Sequence, residues 1–147
     1  MSKYQNIVAL ANKLESEKFS LFLKQGRGDC FLLILFQSKA QFSYDGKKYF
    51  IIPKDTAVLF SPYNLNAYKA YNGELLNSFL SFKTSIDFFN GFDFSMNIPF
   101  KISSDDMKIL VKKIDRISFL INTDYEESSI EIIESYIKGV FTVLNEA

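Results

Sequence analysis

The sequence predicts an α+β fold, mainly β: an antiparallel barrel of short strands followed by two C-terminal helices. Three observations predict it. Between Lys18 and Phe82, short apolar or alternating runs recur between turn residues, as they do in antiparallel sandwiches and barrels. After Pro99 the apolar residues fall on every third or fourth position, the period of a helix face. The 147 residues are 48% hydrophobic and 16% aromatic, enough for one domain with a substantial core.

The elements follow in chain order. Ile7, Leu10, Ala11 and Leu14, within residues 4–17, have the spacing of a short amphipathic helix. Phe19, Leu21 and Leu23 alternate with Lys18, Ser20, Phe22 and Lys24, which predicts a first strand. Gly26 and Gly28 make residues 25–29 a turn. Residues 30–37 are almost continuously apolar, as in a strand buried on both faces. Strands over 41–44 and 48–52 flank Asp45-Gly46, a hairpin signal because glycine tolerates positive φ. Residues 53–55 are another turn, 57–60 a strand ending at Ser61-Pro62, and 66–71 a strand before the Asn72-Gly73 turn. Residues 75–82 form the next strand, and 84–90 one or two helical turns ended by Gly91.

Ser103 or Ser104 can cap the first long helix, with Asp105 and Asp106 well placed in its opening turn. Met107, Leu110, Val111, Ile114, Ile117 and Ile121 make its stripe. A second helix starts at Asp124, where Asp124-x-x-Glu127 resembles a capping box. One face carries Ile130, Ile133, Ile137, Val140 and Leu144, and a second strip carries Ile132, Tyr136 and Val143. A helix apolar on two sides has two things to touch: here the barrel and a partner subunit, with either strip able to take either task. The organisation expected is a barrel with its short N-terminal helix over 1–100 and a helical segment over 101–147, in one compact domain.

Composition excludes several function classes. Basic and acidic residues balance at 17 each, and Arg27 and Arg116 are the only arginines. Nucleic-acid domains carry an Arg-rich basic face, so no direct DNA contact by this chain is expected. There is no histidine, which removes histidine metal sites and Ser-His-Asp triads; no metal, cofactor, catalytic residue or enzymatic activity is expected. Cys30, the only cysteine, reads as a small core hydrophobe. Arg27-Gly28-Asp29 reads as a turn. No secretory leader is visible, and the most apolar run, 30–36, is far short of the about 20 residues that span a bilayer. The expectation is a cytoplasmic protein without a membrane association.

The order of motifs resembles the sensing domain of AraC-family transcription regulators. That family follows a small-residue turn with a glycine hairpin, a Pro-Gly-Asp turn, a Pro-Pro-Gly-x-x-His-x-Tyr segment, and a final aromatic-x-x-Phe strand. Here Ser38-Lys39-Ala40 stands at the first turn, followed by Gln41-Phe42-Ser43-Tyr44-Asp45-Gly46. Pro53-Lys54-Asp55, Ser61-Pro62-Tyr63-Asn64-Leu65-Asn66-Ala67-Tyr68 and Phe79-Leu80-Ser81-Phe82 follow with the family's spacing. Lys54, Ser61, Tyr63 and Asn66 depart from the family's Gly, Pro, Gly and His. The two terminal helices match its dimerisation helices. The resemblance implies a metal-free, cupin-like barrel (a double-stranded β-helix) that binds a small organic effector, and a homodimer. It also implies that the DNA-reading helix-turn-helix units lie elsewhere, with this chain a piece of a longer regulator or a stand-alone sensor.

By the same resemblance Gln37, Asn66, Tyr68 and Phe79 line the effector pocket. Their chemistry fits: amides and a phenol both donate and accept hydrogen bonds, and an aromatic face covers apolar ligand surface. Each also has a plain structural reading. Tyr68 and Phe79 can fill a small barrel, Asn66 can sit in a turn or cap a strand, and Gln37 can be an exposed strand end. A barrel packed solid by its aromatics would instead serve as a protein-interaction module under a regulatory partner. Ile132, Tyr136 and Val143 are the candidate dimerisation residues.

Overall fold

A computed structural model of the chain describes residues 7–15, 20–93, 95–122 and 130–146. Among the described residues nine strands form two antiparallel sheets: β1 (Ile7–Glu15), β2 (Ser20–Leu23), β3 (Phe31–Phe36), β4 (Ala40–Phe42), β5 (Phe50–Ile52), β6 (Thr56–Phe60), β7 (Asn66–Ala70), β8 (Glu74–Phe82) and β9 (Phe100–Lys101). One sheet has the order β1-β8-β3-β6-β9 and the other β2-β7-β4-β5. Helices α1 (Ser104–Asn122) and α2 (Ile130–Glu146) follow. The fold is α+β, mainly β, as the strand spacing predicts. No described helix is long and apolar enough to cross a membrane.

Strand β3 organises the interior. It lies between β6 and β8, and all six of its side chains are buried, so the unbroken apolar run marks a strand covered on both faces. Leu32, Ile34 and Phe36 face the second sheet, together with Phe42, Val58, Phe60, Tyr68 and Leu75. Phe31, Leu33 and Leu35 face the helices, where Leu110, Ile114, Ile117, Ile137 and Phe141 cover them. The period-2 alternation of a strand thus divides the core into a barrel lumen and a sheet–helix layer.

The N-terminal segment differs from expectation. Residues 7–15 are a strand, not an amphipathic helix, running antiparallel to β8 from Ile7↔Phe82 to Glu15↔Glu74. Without β1, the nine-residue β8 would leave one edge unpaired, and backbone groups on such an edge are strongly driven to pair. A helical spacing of four apolar residues does not outweigh that non-local ladder, because periodicity reads only local order. Strand β9, pairing with β6 through Thr56↔Lys101 and Ala57↔Phe100, is likewise absent from the sequence reading.

Helix α1 forms as its cap and stripe predict, and α2 carries a buried stripe as expected. The Ser103 hydroxyl accepts the Asp106 amide at 3.0 Å, and Asp105 and Asp106 occupy the first turn of α1. Met107, Leu110, Ile114 and Ile117 are buried, joined by Leu120, while Val111 and Ile121 pack at the margin of the same cluster. In α2, Ile133, Ile137, Val140, Phe141 and Leu144 are buried. The Asp124-x-x-Glu127 box and the Ile130 side chain lie outside the described residues.

The turns carry conformations their residues favour. Asn72 and Gly73 both have positive φ, 51° and 75°, as the two-residue turn between β7 and β8 requires. The β4–β5 connection is longer than a tight hairpin. Within it the Asp45 carboxylate accepts amides of Lys47 at 2.8 Å and Lys48 at 3.0 Å, and the Ser43 hydroxyl. Those bonds favour the charged form and lower the Asp45 pKa from 3.8 to about 2. The part of the loop's order that the carboxylate supplies should therefore be complete above about pH 4 and lost as pH falls toward 2. Amide exchange of Lys47 and Lys48 followed by NMR between pH 5 and 2 should show protection falling in that window. Unchanged protection at pH 2 would show that the carboxylate does not order the loop.

Candidate functional site

The lumen between the two sheets is the site that the topology builds. On β7, Asn66 and Tyr68 share a face with Ala70, and Tyr68 and Ala70 belong to the lumen core. On β8, Phe79 packs on the same core. These three of the expected pocket residues are brought together. Gln37 is not among them. It continues the series Phe31, Leu33, Leu35 that faces the helices; its Oε1 accepts the Ser78 hydroxyl at 3.1 Å. It borders a separate groove of about 390 Å³ that also touches Met107 and Val111.

Asn66 is the unusual member. It is 1% exposed, and neither its Nδ2 nor its Oδ1 has a hydrogen-bond partner. A buried amide left unsatisfied costs about 1–3 kcal/mol per group, and native interiors rarely tolerate it. The turn of residues 25–29 closes over it. A side chain at Gly26 would strike the Asn64 carbonyl and approach Asn66 Oδ1, and Gly26 has φ +57°. The turn is tied down where the Tyr63 amide donates to the Gly28 carbonyl at 2.8 Å. Glycine is required there by close approach and by conformation together.

That turn carries Arg27 to the lumen rim. Its guanidinium lies 5.7 Å from the Phe79 ring centroid, within the range of a cation–π contact. Burial pushes the Tyr68 hydroxyl up to about 12, and the Arg27 charge opposes this. Tyr68 is therefore protonated at neutral pH and can donate a hydrogen bond; its ring packs edge-on to Phe36 with centroids 5.4 Å apart. The sequence predicts residues 25–29 only as a turn and does not mark Arg27 as a site residue. The available signal was a rare arginine between two glycines in a lysine-rich chain.

Cys30 also stands at this rim and is half-buried rather than a core residue. Burial, then the neighbouring Asp29 charge, raises its pKa, against a hydrogen bond with Ser81, so the thiol is not an activated nucleophile. Asp29 itself pairs with Lys83 at 2.8 Å on the surface, an exposed contact worth little. The candidate dimer residues divide. Ile132 and Tyr136 are 43% and 38% exposed, whereas Val143 packs partly into the sheet–helix layer.

No protein-family model and no curated protein sequence matches this chain. Solved structures do. An apo point variant of ToxT from Vibrio cholerae is similar with a TM-score of 0.59 at 10% identity, covering 96% of this chain and 56% of that one. A second ToxT structure from the same organism gives 0.57 at 11% identity, covering 97% and 56%. ToxT is also similar in a form bound to an unsaturated fatty acid, with a TM-score of 0.51 at 9% identity, covering 95% and 55%. Another form is bound to (E)-4-(8-methylnaphthalen-1-yl)but-3-enoic acid, with 0.54 at 9%, covering 96% and 57%. This chain spans little more than half of the ToxT chain. At such low identity what is shared is the fold, and it is the fold of an AraC-family protein.

Proposed function

We propose that this chain is the sensory and dimerisation domain of an AraC-type bacterial transcription regulator, taking a small organic effector in its barrel lumen. The observation that carries the reading is the Asn66 amide, enclosed in the lumen wall without a partner. A ligand polar group would satisfy it. Tyr68 supplies a second donor, Phe79 an aromatic face, and Arg27 a cation at the rim, a mainly apolar site with a few placed polar groups. The ToxT ligands named above are carboxylic acids with apolar bodies. Arg27 and Asn66 suit such a head group, and the aromatic lumen suits such a body. We therefore favour an apolar carboxylic acid as the effector class.

The role is binding and not catalysis. General-base chemistry at neutral pH needs a group poised near pH 7, and the Tyr68 hydroxyl is held far above that. The exposed Ile132 and Tyr136 of α2 give the domain a surface for a homodimer, since a two-fold contact presents one patch from each subunit. Control of a DNA-binding domain outside these residues, in the cytoplasm, completes the reading.

The test is a thermal-shift screen against C16 and C18 unsaturated fatty acids, arylalkenoic acids, their alcohols and simple sugars, with light-scattering mass on the same sample. A ligand at about 100 times its Kd should add about 2.7 kcal/mol. A rise in Tm with acids, absent with the matching alcohols, on a dimer, is the expected result. A dimer that responds to nothing would replace the sensor with a filled barrel acting as a protein-interaction module. A monomer without a response would remove both readings.

A further inference from the structure

The groove beside Gln37 is a second site, separate from the lumen. Its volume of about 390 Å³ is that of a small-molecule pocket. Helix α1 forms one wall: Ser104, Met107, Lys108, Val111 and Lys112 line it, at the three- and four-residue steps that share one helix face. The turn of residues 53–55, between β5 and β6, forms another with Lys54 and Asp55. Both walls are held in place. The Asp55 amide donates to the Phe36 carbonyl at 2.8 Å, and the Asp55 carbonyl accepts the Ile102 amide at 2.8 Å. The Thr56 hydroxyl donates to the Pro53 carbonyl at 2.7 Å. On the other wall Met107 is buried in the sheet–helix core, which anchors its helix. A groove with fixed walls has little ordering cost to meet when a ligand enters.

We propose that this groove binds a small organic dianion, a phosphate monoester or a dicarboxylate, whose apolar body lies on Leu76, Met107 and Val111. Charge selects the head group. Three lysines, Lys54, Lys108 and Lys112, line the groove against one carboxylate, Asp55. The chain as a whole balances 17 basic against 17 acidic residues, so this excess of positive charge is local. One exposed ion pair contributes little, and a monoanion would gain little from these exposed ammonium groups. A dianion can engage lysines of both walls at once, and a lysine ammonium suits phosphate as a point charge. Gln37, whose Oε1 accepts the Ser78 hydroxyl at 3.1 Å, adds an amide donor to the lining. The start of α1 is not the seat of the anion. Its Asp106 amide is capped by the Ser103 hydroxyl, and Asp105 and Asp106 already occupy its first turn. The lumen differs in kind, with the single cation Arg27 at its rim, and the groove does not depend on the lumen reading.

The probe is 1-naphthyl phosphate, titrated at about pH 7.5, where a phosphate monoester carries close to two charges. The intact chain is labelled with [methyl-13C]methionine. Its three methionines give three methyl signals, and M107L assigns that of Met107. A saturable shift of the Met107 signal, with those of Met1 and Met96 unmoved and with binding weakened by salt, is expected. Naphthalene-2,3-dicarboxylate is the second arm, and the tighter of the two names the anion. Inorganic phosphate, which lacks the body, 1-naphthoate, which has one charge, and neutral 1-naphthol should each bind at least about tenfold more weakly. K108Q/K112Q, in which glutamine keeps the helix propensity of lysine, should lose at least about tenfold in affinity with an unchanged melting curve. Lys54→Gln tests the other wall without touching the helix and should weaken binding at least about threefold. Four results overturn the proposal. These are no saturable binding of either dianion, equal binding of 1-naphthoate or 1-naphthol, and an affinity that none of the lysine changes alters. The fourth is calorimetric saturation that leaves the Met107 signal unmoved, which would place the ligand elsewhere and leave the lumen reading standing.

Discussion

Phe141→Ala is expected to remove about 3–5 kcal/mol of stability, the cost of deleting a fully buried aromatic side chain. Phe141 has no exposed surface. Its ring meets Phe82, Phe88, Phe89 and Phe92 with centroids 5.2 to 6.2 Å apart. These neighbours come from the end of β8 and from the 3-10 turn Ile86–Phe89 and the residues after it, so one side chain of α2 fastens three segments. The fixed rings and strands around it cannot collapse into the void, which places the loss toward the upper end. Domains of this size have only about 5–15 kcal/mol in total, so the variant should melt far earlier and unfold at much lower denaturant. Lys138→Ala on the exposed side of α2 is the control, expected within about 0.5 kcal/mol. Urea unfolding of both reads the difference. Equal, small losses would mean that α2 does not dock through Phe141.

Asn66→Leu is expected to act in opposite directions on stability and on ligand response. Leucine has the same branched side-chain skeleton, with somewhat bulkier tips, and removes two buried polar atoms that have no partner. Relieving that desolvation should stabilise the unliganded domain by about 1–3 kcal/mol. The same change deletes the lumen's inward amide, so the Tm rise with an acid effector should shrink or vanish. Many substitutions at a binding residue weaken both properties, whereas a gain in one with a loss in the other marks a polar group kept for a ligand. Thermal melts of wild type and variant, with and without the effector acid, give both readouts. A destabilised variant would mean that the amide is satisfied within the fold. A stabilised variant with an intact ligand shift would place the ligand away from Asn66.

The placement of the candidate pocket residues was only partly legible in the sequence. Asn66, Tyr68 and Phe79 share the lumen because they alternate correctly on β7 and β8, and alternation can be read from a sequence once the strands are known. Gln37 fails the same test by one residue. It continues the helix-facing parity of β3, and a shift of one position reverses the face of a strand residue. Arg27 was hidden because its position depends on a loop fold: two positive-φ glycines turn the chain so that a surface-type residue lies over Phe79.

Elements whose cause lies within a few residues could be read from the chain alone. The buried strand β3, the Asn72-Gly73 turn, the Ser103 cap and the stripes of α1 and α2 follow from burial period, backbone freedom and capping chemistry within a few residues. Long-range packing set the rest. It made residues 7–15 a strand, because the open edge of β8 offered a ladder no local pattern records. It likewise added β9 beside β6, and it left Asn66 enclosed without a partner, because satisfaction of a polar group depends on what the other sheet brings to it. Pairing and enclosure are relations between segments distant in sequence, and they appear only when the chain has closed on itself.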